Sequence, residues 1–151
     1  MVVTTTSPST DGSFGELFAT ALKYRGVRGV VTTGGVRDVA ELHKMGFPAF
    51  SGAISAQGTV KATAGAVNIP ISINGQVIAP GDAVLADDDG VVVVPRAEVA
   101  QVLEAARARL QKEEKSRSAF ERGELGLDRY GLRGTLARLG VEYVKYGGAA
   151  E

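Results

Sequence analysis

Apolar and polar residues alternate along this chain in two rhythms. The opening run VVTTT is β-branched and predicts a strand from residue 2, followed by a polar loop over SPSTDGS. From Phe14 the apolar positions are Phe14, Leu17, Phe18, Ala21 and Leu22, the spacing of one helical face. That helix should end near Arg25, with Gly26 in the C-terminal capping role. VRGVVTT (27–33) predicts a buried strand broken by Gly34-Gly35, then a short helix with Val39, Leu42 and Met45 inward. GFPAFSG leads into another strand. Residues 53–68, rich in glycine and alanine, match neither rhythm.

Beyond them the pattern turns to strands: IPISI, QVIAPGDAVLA and VVVVP, with turn chemistry at Pro80-Gly81-Asp82 and Asp89-Gly90. Pro95 stops the last strand and suits the first turn of a long helix. Val99, Val102, Leu103, Ala106 and Leu110 would form that helix's inner face, which then runs into Glu113, Glu114 and Arg117. The tail ELGLDRYGLRGTLARLGVEYV repeats small apolar steps at Leu125, Leu132, Leu136 and Leu139, suited to docking on a neighbour. These elements predict an α/β fold. The expected organisation is a core over residues 1–110 and a helical extension over 111–151.

Composition narrows the chemistry. Lys+Arg and Asp+Glu both number 17, so net charge directs the chain to neither nucleic acid nor membrane. With no cysteine, thiolate catalysis and zinc-thiolate sites are excluded, and with one histidine, His43, so is a poly-histidine metal site within one chain. A metal would be held by oxygen, which favours Mg2+, Mn2+ or Ca2+. The sequence contains no apolar stretch near the ~20 residues of a membrane span. Its start also lacks the pattern of a secretory signal, so the expected location is cytoplasmic.

Candidate site residues each have a plainer reading. Asp38-Val39-Ala40-Glu41 fits a capping box. Yet a strand-to-helix turn of an α/β protein is also where ligands bind, and Arg37-Asp38 could hold an anionic oxygen and a hard cation. DGSFGELFA (11–19) is either an ordinary helix start or an anion-binding one. DDDG (87–90) reads as a solvated turn, lacking the spacing of a calcium loop. Glu113 and Glu114 read as a solvated, ion-paired helix surface, and His43 as a surface residue.

Taken together, SPSTDGSFGELFATA, RGVRGVVTTGGVRDVAEL, GFPAFSGAISAQGTVKAT, VNIPISINGQVIAPGDAVLADDDGVVVVPR, KEEKSR and GELGLDRYGLR resemble a known family across essentially the whole chain. It is that of the class II, metal-dependent pyruvate aldolases acting on 4-hydroxy-4-methyl-2-oxoglutarate and 4-carboxy-4-hydroxy-2-oxoadipate. The regulator of ribonuclease activity A, a protein-binding relative without the charged C-terminal helix, shares their fold. The resemblance implies a swivelling-type β/α domain and a homotrimer or hexamer with sites between subunits. Asp38 would be the direct protein ligand of Mg2+ or Mn2+, a Lewis acid stabilising the enolate left by carbon–carbon cleavage. Arg37 would share charge on the keto oxygen, and Gly15, Glu16, Leu17 and Phe18 would offer N–H groups to the substrate carboxylate. Glu16, with Glu113 from a neighbouring subunit, would hold a metal-bound or catalytic water. Oxaloacetate decarboxylation would follow from the same enolate chemistry, and a non-catalytic binding module or an inactive truncated paralogue is the alternative. Family members usually carry about 70–80 residues ahead of this point, more than a typical single domain holds once added. Thr33 stands where relatives often have an aspartate, a change that could lower metal affinity.

Overall fold

The computed structural model describes residues 1–60 and 62–143. Residues 144–151, the end of the expected C-terminal extension, lie outside them, as does Lys61. The chain forms two compact units, Met1–Val99 and Ala100–Glu151.

The first unit is built on β3 (Val30–Val36). Parallel to it on one edge runs β4 (Ala49–Ile54). The other edge is shared by β1 (Val2–Val3), opposite Val31 and Thr32, and β2 (Gly12–Phe14), opposite Gly35 and Val36. Two helices make the crossovers, α1 (Glu16–Tyr24) between β2 and β3, and α2 (Val39–Lys44) between β3 and β4. Phe14, Ala19, Val30, Val36, Leu42 and Phe47 form the core, with Phe14 and Phe47 stacked at 5.8 Å. Burying a side chain such as Leu42, 2% exposed, contributes about 1.5–3 kcal/mol.

Several expectations are corrected here. Gly34-Gly35 does not end the third strand, which begins at Val30 and continues to Val36. A Cβ on Gly35 would lie 2.7 Å from the Asp11 carbonyl oxygen, so glycine lets β2's lead-in approach. The expected loop SPSTDGS therefore runs into a strand, which its polar residues conceal. The α1 face is also turned from the one read in the sequence. Leu17 is 81% and Phe18 52% exposed, while Ala19 and Leu22 face the core. Phe14 belongs to β2, so the strand's end sets the helical phase, and Ala19 is small enough to sit against the sheet. The α2 face is as expected, with Leu42 buried and Val39 and Met45 partly so. Gly26, at φ 83°, follows α1 as its cap.

Two antiparallel hairpins complete this unit. They pair β5 (Ile71–Ile73) with β6 (Gln76–Ile78), and β7 (Ala83–Asp87) with β8 (Gly90–Val94). Asn74 and Gly75, at φ 49° and 83°, make the two-residue turn that suits twisted strands. DDDG is the turn it was read to be, the Asp89 N–H donating to Asp87 Oδ1 at 3.0 Å. A cavity of about 670 Å³ lies among β1, β4, β5 and β7, against Val2, Phe50, Ile71 and Val84.

A short 3-10 turn (Arg96–Glu98) leads into α3 (Val99–Glu121). Its expected inner face is not buried: Val102 is 39%, Leu103 46% and Leu110 63% exposed. At ~1.5 Å per residue α3 is about 35 Å long. In the second unit, α4 (Gly126–Arg129) and α5 (Arg133–Arg138) follow it. Near the C-terminal end of α3, Phe120 meets Tyr130, just after α4, edge-on, and Arg129 of α4 donates to Ser116 Oγ. Among the described residues no helix is long and apolar enough to cross a membrane.

Candidate active site

β2, β3 and β4 are parallel, so the segments that follow them emerge at one edge of the sheet. Those segments are Gly15-Glu16, Arg37-Asp38 and Ser55–Gly58. Carboxyl ends of strands in open α/β sheets commonly bind ligands because the chain diverges there into crossovers.

Asp38 precedes α2 but makes no side-chain hydrogen bond to it, so the capping box does not form. Its backbone is left-handed, at φ 58° and ψ 37°, a conformation that aspartate tolerates better than most residues. The carboxylate serves the neighbouring helix instead, Oδ2 accepting the Glu16 N–H at 3.1 Å. The first amide of α1 lacks an intrahelical partner, and Gly15, its N-cap, has no side chain to offer. Among the described residues Asp38 Oδ1 has no hydrogen-bond partner, and the side chain is 43% exposed.

Arg37 is fixed by the same strands. Its N–H donates to the Phe14 carbonyl at 2.8 Å, and its guanidinium Nη1 to the Gly12 carbonyl at 2.9 Å. Nε stands 3.7 Å from Asp38 Oδ2 with both side chains well exposed, a pair worth at most ~1 kcal/mol. Stability alone therefore gives little reason for this arrangement. The Gly12 N–H in turn donates to the Gln57 carbonyl at 2.7 Å, tying the segment after β4 to the site. Sequence reading missed Gly12 and Gln57. They act through backbone atoms, so residue type carried little signal.

Gly15 and Glu16 are thus brought against Arg37 and Asp38. Glu16 Oε1 accepts the Thr20 hydroxyl at 2.8 Å, and the Glu16 N–H is committed to Asp38. The N–H groups of Leu17 and Phe18, also in the first turn, are left without intrahelical partners. Thr33 is elsewhere: its Oγ1 accepts the Thr5 N–H at 3.1 Å and meets the Thr4 hydroxyl at 3.3 Å. Glu113 lies on α3 in the second unit, where Oε1 accepts Arg109 Nε at 2.5 Å.

Among the described residues no cluster of three or more histidines, cysteines or carboxylates could cage a metal. Mg2+ keeps several waters and takes one or two carboxylates, so one accessible aspartate oxygen in an open turn fits it.

Residues 1–93 match the model of the RraA-like family, described as aldolase/RraA. The chain belongs to that family. It is 32% identical over 111 residues to an uncharacterized protein of Methanocaldococcus jannaschii, covering 74% of this chain and 53% of that one. It is 34% identical over 71 residues to the 4-hydroxy-4-methyl-2-oxoglutarate aldolase of Thermus thermophilus, covering 47% of this chain and 43% of the relative. Among solved structures it is similar to Streptomyces coelicolor RraAS2, an unusual member of the RNase ES inhibitor RraA protein family. That likeness has a TM-score of 0.70 and 29% identity, covering 78% of this chain and 60% of that one. The chain spans about half the length of the curated relatives it matches. The α/β class expected from the pattern holds, and it is the fold of this family.

Proposed function

We propose that this chain carries the pyruvyl-binding end of a divalent-metal aldolase. Its substrate would be 4-hydroxy-4-methyl-2-oxoglutarate or 4-carboxy-4-hydroxy-2-oxoadipate. One observation carries the reading: an exposed aspartate with an uncommitted oxygen stands beside an arginine whose guanidinium is held by a strand carbonyl. The aldolase relatives give it a chemical class.

Mg2+ or Mn2+ held by Asp38 would, when bound, act as a Lewis acid on the 2-oxo acid end of the substrate. The free N–H groups of Leu17 and Phe18 bind the substrate carboxylate at the positive end of α1. Arg37, anchored at Gly12, faces the keto oxygen and takes up its growing negative charge. The C3–C4 bond breaks, and its electron pair passes into the enolate of pyruvate. The 4-hydroxyl proton leaves to a water held by Glu16, and a proton returns to C3. The products are two pyruvates, or pyruvate and oxaloacetate. Oxaloacetate presents the same end to the same residues, so its decarboxylation is a side activity of this site. Glu113 reaches the water from a neighbouring copy in a homotrimer or hexamer.

The RraAS2 likeness favours a second reading, a protein-binding regulator. Pyruvate release from 4-hydroxy-4-methyl-2-oxoglutarate, assayed with Mg2+ and with chelator, separates the two. The aldolase reading expects chelator-sensitive release that Asp38→Ala abolishes. No release from folded protein with Mg2+ leaves the regulator.

A further inference from the structure

Asp38 does two things that a metal ligand need not do. It occupies a left-handed backbone conformation, and it spends one carboxylate oxygen on the first amide of a helix other than its own. The space it uses exists because residue 15 is glycine. A Cβ there would lie 2.5 Å from Asp38 Oδ2 and 2.9 Å from Arg37 Cγ. An added Cβ would therefore push aside the end of the Asp38 side chain and the stem of Arg37 together, both of them site residues.

We infer that the Asp38 carboxylate clasps α1 and the cation at once, Oδ2 on the Glu16 N–H and Oδ1 toward the metal, with Gly15 as the positioning residue that permits it. This rests on the proposed metal-dependent reading. Helix α1 carries Glu16 and the free N–H groups for the substrate carboxylate. Metal loading and the setting of that helix's start are therefore one coupled event. Such coupling is reciprocal: whatever displaces the clasp weakens the metal by the same factor. It also gives the left-handed turn a purpose, since a residue capping α2 would aim its carboxylate at that helix rather than at α1.

The test pairs two readouts on the full chain. Mn2+ binding is followed by the spectroscopic signal of free Mn2+, with oxalate present as a planar 2-oxo acid mimic. Amide exchange at Glu16 is followed by NMR, with and without Mg2+ and oxalate. In the wild type, Mg2+ with oxalate should slow Glu16 exchange. Asp38→Asn keeps an acceptor oxygen, so it should retain Glu16 protection while losing Mn2+. Asp38→Gly relaxes the backbone but removes the acceptor, so both should be lost. Gly15→Ala touches no metal, yet should weaken Mn2+ about tenfold and speed Glu16 exchange. Should the wild type bind Mn2+–oxalate while Glu16 exchange ignores Mg2+ and Gly15→Ala binds like wild type, the coupling is wrong and the metal reading stands. If the wild type binds no Mn2+, both fall. Gly15→Ala needs no special rescue as a probe, because the Asp38→Asn and Asp38→Gly pair tests the clasp independently.

Discussion

Asp38, Asp82 and Asp87 in the first unit accept backbone N–H groups through their side chains, and Asp82 and Asp38 differ most in what they keep back. Asp82 uses both oxygens: Oδ2 accepts the Ala79 N–H at 2.8 Å and Oδ1 the Arg96 N–H at 2.9 Å. It ties the turn before β7 to the segment after β8, and those two bonds hold its pKa below the usual carboxylate range. Asp38 uses one oxygen and leaves the other in the open, beside an arginine. A carboxylate with both oxygens bonded to the backbone is held as a brace of the fold and has fewer acceptor sites left for a ligand. A half-used one retains acceptor capacity and a charge for chemistry.

The sharpest way to break this comparison is to remove each carboxylate. Asp38→Ala should cut pyruvate release to background, at least on the order of 10³-fold, since the lost Lewis-acid assistance amounts to several kcal/mol. Asp82→Ala should leave the rate per folded molecule unchanged. Equal losses of rate in folded protein would erase the distinction. Next comes Arg37→Lys, expected to lower kcat about 10²-fold because an ammonium cannot keep the Gly12 anchor and face the substrate together. A wild-type rate would reduce Arg37 to a point charge.

The third contrast is in acid. Asp82 has a lowered folded-state pKa, so its stabilisation is fully present above the ordinary aspartate value of 3.8 and is lost as pH falls through the lowered one. Thermal midpoints followed through that window should fall for the wild type and fall less for Asp82→Asn. The Asn variant should start lower at neutral pH because its amide nitrogen cannot accept an N–H. The smallest effect is expected at Glu113, whose partner among the described residues is the exposed Arg109 on its own helix. Arg109→Ala should leave the thermal midpoint unchanged within error, as exposed i,i+4 pairs usually do. A clear drop would mean that this pair carries part of the fold.

Much of the candidate site could be read in the residues because the chemistry proposed for it rests largely on side chains. Arg37, Asp38 and Glu16 stand out by type and by their place at strand-to-helix turns, and they do come together. Their supports could not be read the same way. Gly12 orients Arg37 through a carbonyl, and Gln57 holds Gly12 through another. Backbone groups are the same at every residue, so no residue type announces them.

By itself, the sequence determined the α/β class, the inward face of α2, the turn at Pro80-Gly81 and the solvated turn within DDDG. Each follows from local rules of periodicity, turn conformation or composition. Tertiary structure alone decided which helix Asp38 caps, which face of α1 is buried and that Gly34-Gly35 continues a strand. Those depend on what approaches from elsewhere: the Glu16 amide, the end of β2, and the Asp11 backbone against a glycine with no Cβ. Asp38-Val39-Ala40-Glu41 spells a capping box, but the orphan amide of α1 and the open side of Gly15 drew the carboxylate across the sheet edge instead.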